Sequence, residues 1–553
     1  MYRSSTLLIT IFMALISQSA IAVDRSEFEK WKQQETASFK EYRDKRDQEF
    51  TSFLKTQWKE MQTFQGLVRD EKPKPKVMPV APVAPPVATT PIIQPAAPVT
   101  VPPVVKLPEP APVRAPAPTA PAPIAAVPPA PALPVVPSAE IKPTIVKPEE
   151  IKPVAPAPVP IAVPIVSVPP IAAIPEPVKV APVAVAALPK GQLLDVEFYG
   201  QRLRFTYDPA FRVKLTSRID GKAISDHWSV LSLAGYEPLL KQLDAQRAPL
   251  QLNDWGYALL THKVAQAIYP GAQNEQALFT WFVMTKAGFR ARIAYDTARV
   301  YLLMPAQQQI YAAAYFTFDN QRYYALGFDG SKHKLDRVFT YDGQYPGASK
   351  ALDMRLDKSL NTSRQDQFKT VAFNYNGSNY HVKVDTDDQT IAWLQTYPQL
   401  DINLYFSADV NRATASPLLQ QLKPMVQGKS EQDAVNLLLR FVQTAFPYKT
   451  DEQQFGIENY LFPEETLYYP YSDCEDRSVF FAWLVRNLVG LDVVGLDYPG
   501  HVATAVRFNE NVVGDSISYN GKRYVISDPT YINARAGMAM PDFRKVQPKV
   551  IGF

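Results

Sequence analysis

The stretch YSDCEDRSVFFAWLVRNLVGLDVVGLDYPGHVATAV, Tyr471 to Val506, decides how this chain is read. Apolar residues at Phe480, Trp483, Leu484 and Leu488 follow helical spacing. Ser472 or Asp473 can cap the start of that helix, and Gly490 follows its end. Cys474 therefore sits at or near a helix N-terminus, where unpaired backbone N–H groups favour the thiolate, the reactive form. A structural cysteine would more naturally lie in mid-helix on the apolar face. GHVATAV then alternates as a half-buried strand opening on His501, and GKRYVISDPT (Gly521 to Thr530) is a strand closing on Asp528. Two adjacent antiparallel strands can bring His501 against the helix start and Asp528 against the far imidazole nitrogen. A thiol needs a base to take its proton, and the imidazole needs an acceptor to fix its tautomer.

Cys474 is the only cysteine in 553 residues, so no internal disulfide forms. Two readings are open for it, a small buried hydrophobe and a used nucleophile, and its neighbours favour the second. The compartment makes the question sharper. The chain opens MYRSSTLLITIFMALISQSAIAVDRSE, with Arg3 ahead of a short apolar core and an A-x-A site at Ala20-Ile21-Ala22. Residues 1–22 are expected to be a signal peptide cleaved after Ala22, giving a periplasmic or secreted protein with no transmembrane anchor afterwards. No cysteine near the cut invites lipid attachment.

Fifty-two prolines against 22 glycines lie mostly in one central block. A net charge of +4 is small for this length and argues for no nucleic-acid partner. Residues 23–72 form a charged helix with an eleven-residue repeat, FEKW at Phe28, FKEY at Phe39, FTSF at Phe50 and MQTF at Met61. Such a helix would extend roughly 70 Å, and either self-associates, docks to an envelope protein, or stays a solvated single helix. Residues 73–190, Pro-Ala-Val with scattered Lys-Pro-Glu units, are expected to be a disordered, polyproline-rich linker.

From Gly191 the composition is globular and an internal duplication appears. LDVEFYGQRLRFTYD (Leu194 to Asp208) resembles TVAFNYNGSNYHVKVD (Thr370 to Asp385), with Gly200 and Asp208 offset by 177 from Gly377 and Asp385. PLLKQL at Pro238 matches PLLQQL at Pro417, and VAQAIYP ending at Pro270 matches FVQTAFP ending at Pro447. FTWFVMTKAGF at Phe279 then matches FAWLVRNLVGL at Phe481, offset 202, and NQRYYALG (Asn320 to Gly327) matches GKRYVISD. The jump of 25 places an insertion just before Cys474. It holds Phe455, Tyr460, Phe462, Tyr468, Tyr469 and Tyr471. These aromatics either wall a cleft or fill a core. The cleft reading takes Tyr468, Tyr469 and Tyr471 as substrate-binding. Projected onto the first copy, Cys474 falls on Ala272, His501 near Ala298 or Arg299, and Asp528 on Gly327.

Cysteine opening a helix, histidine opening a strand and aspartate closing the next strand before Pro-Thr, in that chain order, resembles the transglutaminase-like superfamily. The resemblance covers roughly Ser430 to Phe553. It implies nucleophile Cys474, general base and acid His501, and orienting Asp528. It also implies an α+β fold of papain-like or transglutaminase-like type, with the cysteine helix packed on an antiparallel sheet. The expected organisation is then a degenerate copy over 191–350, a connector over 351–368 and a catalytic domain over 369–553. The Cys474 backbone N–H is the candidate oxyanion donor, assisted by an aromatic of the Tyr468–Tyr471 run. Glu475 and Asp476 read as first-turn carboxylates favoured by the helix dipole. No second cysteine or histidine cluster supports a metal site on these groups, and no cofactor is implied. His227, His262, His333 and His381 read as structural or exposed. The expected activity is acyl transfer through a thioester on peptide or protein amides, hydrolytic rather than cross-linking. The alternative is a non-enzymatic envelope scaffold with a residual triad.

Overall fold

A computed structural model describes residues 25–67, 74–82, 191–215, 218–328 and 335–553. The expected signal peptide, nearly all of the proline-rich stretch and His333 lie outside the described residues. No described helix is long and apolar enough to cross a membrane.

The described chain opens with helix α1 (Arg25–Thr56) and strand β1 (Trp58–Gln62). A hairpin follows (β2, Gln192–Phe198; β3, Gln201–Tyr207), then four helices (α2, Gly221–Leu233; α3, Glu237–Ala245; α4, Asp254–Ile268; α5, Gln273–Lys286). Five strands complete the first half (β4, Arg292–Tyr295; β5, Val300–Met304; β6, Tyr315–Phe318; β7, Gln321–Ala325; β8, Arg337–Tyr341). The second half starts with its own hairpin (β9, Asp366–Tyr375; β10, Ser378–Asp387) and short helices α6 (Asp388–Leu394) and α7 (Ile402–Ser407). Helices α8 (Arg412–Val426), α9 (Glu431–Ala445), α10 (Asp451–Gln454), α11 (Pro463–Tyr468) and α12 (Cys474–Leu488) come next. Strands β11 (Asp492–Tyr498), β12 (His501–Arg507), β13 (Ser516–Tyr519), β14 (Lys522–Ser527) and β15 (Lys549–Ile551) finish it. The protein is α+β, and its strands pair antiparallel throughout.

The two halves share an order of elements and an order of strands. The first sheet runs β1-β8-β4-β5-β7-β6, and the second, taken from the other edge, runs β15-β11-β12-β14-β13. Removing β1 makes them correspond strand for strand. Local chemistry repeats as well. Both hairpins turn on a left-handed pair, Tyr199–Gly200 (φ 47° and 77°) and Asn376–Gly377 (φ 50° and 79°), the two-residue turn that matches strand twist. Gln242 of α3 clamps the Thr206 backbone, accepting from its N–H at 2.8 Å and donating to its carbonyl at 2.9 Å. Gln421 of α8 does the same to Lys383, at 2.9 Å both ways. Trp281 and Trp483 are buried in α5 and α12, the helices that pack on the respective sheets.

The halves differ between α4 and α5, where four residues suffice, against the α9–α12 connection, which carries α10 and α11. That longer connection is the insertion placed from the offsets. Phe462 and Tyr460 are buried in it, so part of its aromatic content is core.

The N-terminal segment departs from expectation. The helix stops at Thr56, not near residue 72, and its length is about 48 Å. Beyond it, Trp58–Gln62 adds an edge strand to the first sheet, pairing with Arg337–Tyr341. Trp58 fits because position 221 has no side chain: a Cβ on Gly221 would lie 2.3 Å from the indole. The repeat stripe divides along its length. Phe50 is buried edge-on to Trp228 with centroids 4.9 Å apart, while Phe39 and Tyr42 are exposed. Asp47 is also buried, paired with Lys286 and accepting from the Tyr345 hydroxyl at 2.8 Å. Burial pulls the Lys286 amine down to about 8, with Asp47 opposing that fall. The lower half of the helix thus docks on its own chain. The linker boundary shifts too, since Lys74–Pro82 is placed against the second half.

Phe50→Ala is expected to lower the unfolding free energy by about 3–5 kcal/mol in urea titrations. Phe39→Ala should change it by no more than about 0.5 kcal/mol. Equal effects would mean that the helix does not dock through Phe50.

Candidate active site

Helix α12 starts at Cys474, with Asp473 as its N-cap and the Asp473 N–H donating to Asp476 Oδ2 at 3.1 Å. Ser472 is instead used by Arg477, whose Nε donates to its Oγ at 3.2 Å. The helix is held against the sheet by Ser478 Oγ, which donates to the Val502 carbonyl at 2.9 Å, one residue past His501. His501 opens β12, and Asp528 follows the end of β14, its direct neighbour through the Thr504–Ser527 pairing.

This register brings the imidazole and the carboxylate together. His501 Nε2 lies 2.9 Å from Asp528 Oδ2, and both side chains are buried. Asp528 is aimed by its other oxygen, which accepts from the Thr530 and Tyr531 N–H groups at 2.8 and 3.2 Å. Phe543 stacks on the imidazole at 5.1 Å. The second ring nitrogen, Nδ1, is buried with no hydrogen-bond partner among the described residues. A buried ring nitrogen without a partner is costly and marks a position set up for another group.

Cys474 is fully buried, and its thiol donates to Glu475 Oε2 at 2.9 Å. The thiolate expected from the helix N-terminus is opposed here by the surroundings. Burial pushes the thiol well above its usual range, Glu475 and Asp473 add to the rise, and Lys74 works against it. Burial of the thiol and the acidic groups beside it thus work against the helix dipole, with Asp473, Glu475 and Asp476 buried in the first turn and Asp451 next to it.

Lys74 balances that charge. Its Nζ lies 2.7 Å from Asp473 Oδ2, 2.9 Å from Glu475 Oε1, 3.0 Å from Glu458 Oε1 and 3.4 Å from Asp451 Oδ2. Burial disfavours the ammonium, but Glu475 and Asp473 outweigh it and hold Lys74 protonated above the ordinary lysine range. Burial would likewise raise Glu475, yet Lys74 and hydrogen bonds from Asp473 and Cys474 bring it down to about 2. Asp451 is pushed up to about 8, by burial and by Asp476. Asp473 and Asp476 are raised by burial first and by their acidic neighbours second. Lys74 and Glu475 thus favour each other's charged forms, while burial and acidic neighbours work against ionisation of Asp451, Asp473 and Asp476. Two sets, Asp473–Cys474–Glu475 and Asp451–Asp473–Asp476, are compact enough to hold a cation, and the ammonium of Lys74 lies against both.

A cleft of about 560 Å³ opens beside this cluster, lined by Lys74, Glu475, Tyr498, Gly500 and His501, with Tyr311 contributed by the first half. From the insertion it takes Glu458 and Tyr460. Tyr468, Tyr469 and Tyr471 are not part of that lining. Tyr469 accepts from Gln395 Nε2 at 2.6 Å, Tyr468 and Tyr469 give their carbonyls to Lys369, and Lys449 lies 3.7 Å over the Tyr471 ring. Tyr468 and Tyr469 thus tie the insertion to β9 and the end of α6, and Tyr471 packs against the segment ahead of α10.

In the first half, Ala272 is the N-cap of α5, Val300 opens β5 and Gly327 follows β7. Strand β5 starts at Val300, but the β4–β5 register (Tyr295 opposite Val300) matches the β11–β12 register (Asp497 opposite Val502), so Arg299 is the counterpart of His501, within the Ala298–Arg299 position projected from the sequence. None of Ala272, Arg299 and Gly327 can attack, accept a proton or orient an imidazole. Of the other histidines, His227 is buried and pulled down to about 4 by that burial. His262 Nδ1 lies 3.2 Å from the Thr280 hydroxyl, and His381 lies on β10.

Sequence reading passed over Lys74, Asp451 and Glu458. A signal for them exists: from Asp451 to Asp476 there are eight carboxylates and no lysine or arginine, whereas EKPKPK at Glu71–Lys76 concentrates three lysines. Against known protein families, characterised proteins and solved structures, the chain has no match.

Alkylation of Cys474 by iodoacetamide in the folded protein is expected to have its pH midpoint above the free-thiol value of about 8.5. Glu475→Gln removes the nearest anion, so the midpoint should move down. Intact-mass kinetics across pH measure both. A midpoint below 8 in the wild type would mean that the carboxylates do not govern the thiol.

Proposed function

We propose that this protein is a cysteine acyl-transfer enzyme of transglutaminase-like type, hydrolysing amide bonds of peptides or proteins at the cell envelope or outside the cell. In this reading Cys474 is the nucleophile, His501 the base and acid, and Asp528 the group that orients it. The second half is then a transglutaminase-like domain, and the first a copy that keeps the scaffold and has lost the chemistry.

The observation that carries the reading is His501. Asp528 holds one ring nitrogen at 2.9 Å, and the other is buried, unpartnered and on a residue lining the cleft beside the Cys474 helix. Engagement at Nε2 leaves Nδ1 as the nitrogen that can take the thiol proton. The thiolate attacks the amide carbonyl, and negative charge on its oxygen is met by the Cys474 N–H, at the first turn where helix amides lack intrahelical partners. The imidazolium then gives its proton to the departing amine, leaving a thioester on Cys474. His501 next takes a proton from water, which attacks the thioester, releases the carboxylic acid and restores the thiol. An amine in place of that water would make an amide and so a cross-link.

One observation favours the non-enzymatic scaffold as a second reading. The thiol is buried and hydrogen-bonded to Glu475, which holds it in the unreactive protonated form.

p-Nitrophenyl acetate separates the two. An enzyme is expected to release a burst of nitrophenol and carry an acetyl thioester on Cys474, mapped by mass spectrometry. His501→Ala should slow acylation on the order of 10²- to 10⁴-fold, and Asp528→Ala should slow it in the same direction. A folded protein that never acylates at Cys474 is the scaffold.

A further inference from the structure

A run of eight carboxylates that holds no lysine or arginine, four of them gathered around one ammonium, is the feature least explained by a hydrolytic site. Three of the four, Asp451, Asp473 and Glu475, are buried. A buried charge needs a partner, and the acidic insertion contains none. The cation comes from Lys74, almost 380 residues upstream of Asp451 in the chain.

The way Lys74 arrives resembles a bound peptide more than a packed element. Lys74–Pro82 has no helix or strand of its own. It touches the second half at spaced points: the Pro75 carbonyl accepts from the Tyr448 hydroxyl at 2.9 Å, and Met78 sulfur meets Arg477 Nη1. One parallel bridge joins Val80 to Ile532, with Ala81 N–H donating to the Ile532 carbonyl at 2.7 Å and Ile532 N–H to Pro79 at 3.1 Å. Two side chains are inserted, Lys74 into the carboxylates and Ala81 into a small apolar site with Tyr531, Ala534 and Met540. Val77 and Val80 are largely exposed, and so is Lys76. Inserted side chains separated by exposed ones, with a few main-chain hydrogen bonds, are how grooves read extended peptides. The cleft that reaches His501 begins at Lys74 and Glu475.

We propose that the pocket of Asp451, Glu458, Asp473 and Glu475 is a recognition subsite for the ammonium group of a lysine in an extended, proline-flanked peptide, and that Lys74 is its tethered resident. The strap from Lys74 to Ala81 occupies the groove in cis, and a peptide of the same chemistry competes with it in trans. That this peptide is the substrate rests on the reading of Cys474 as nucleophile. The lysine pocket does not. With the strap in place, Glu475 is bound to both Lys74 and Cys474.

The test uses the full chain and a fluorescein-labelled peptide of residues 74–82, read by anisotropy. Wild type should bind it weakly, because its own strap is seated. Lys74→Gln combined with Ala81→Asp should bind it about tenfold more tightly or better, since a hydrogen-bonded charge contributes about 1.5–3 kcal/mol. Acetylating the peptide's first lysine should abolish that gain, whereas acetylating its second, equivalent to exposed Lys76, should leave affinity within about twofold. Should the double variant fail to fold, Ala81→Asp alone keeps Lys74 and all four carboxyl groups and repeats the measurement. Equal binding by wild type and a folded strap variant, or binding indifferent to the first lysine, overturns the proposal. The acylation assay is independent of this outcome. Lysine-dependent binding without a Cys474 thioester leaves the pocket and removes the enzyme; a thioester without lysine-dependent binding does the reverse.

Discussion

Several acidic groups and a thiol cannot share the first turn of a buried helix as anions. At Cys474 one imported ammonium lies 2.7 Å from Asp473 and 2.9 Å from Glu475, while burial and like charge push Asp473 and Asp476 toward their neutral forms. Much of the site's arrangement follows from that constraint. The strap has to cross onto the second half for Lys74 to arrive, Glu475 becomes the ionised partner, and the thiol takes its remaining oxygen. Arg477, also buried, serves the other side of the same turn, donating to Ser472 and to the Phe446 carbonyl; burial pulls it down to about 10. The resting state is thus electrostatically closed, whatever chemistry His501 and Asp528 can perform.

The two halves show how one scaffold tolerates that difference. Each builds a hairpin clamped by a glutamine, a pair of packed helices and an antiparallel sheet of matching strand order. Where the second half carries Cys474, His501 and Asp528, the first carries Ala272, Arg299 and Gly327. The first half still touches the cleft, through Tyr311, whose hydroxyl donates to Asp401 Oδ1 at 2.6 Å. It also anchors the N-terminal helix, through Phe50 and the buried Asp47–Lys286 pair. Its contribution is to hold the start of the chain, and so to set where the strap begins.

Much was legible from residue order. Helical spacing around Phe480 and Trp483, capping at Asp473 and alternation after His501 are local patterns that backbone geometry must respect. The repeated motifs placed the insertion, because offsets count residues and an added α10 and α11 must appear in the count. Chain order and local pattern thus determined the elements, their repetition and the closeness of His501 to Asp528, since adjacent antiparallel strands leave little freedom there. Tertiary structure decided what composition could not: that past Thr56 the repeat leaves the helix and pairs with a sheet edge, and that Tyr468, Tyr469 and Tyr471 lie outside the cleft, the first two tied to β9 and the end of α6. It also decided the state of the thiol. A helix N-terminus predicts a thiolate from local dipoles, but burial first, and then Glu475 and Asp473, raise the Cys474 thiol against Lys74, a cation from a part of the chain no local reading would place there.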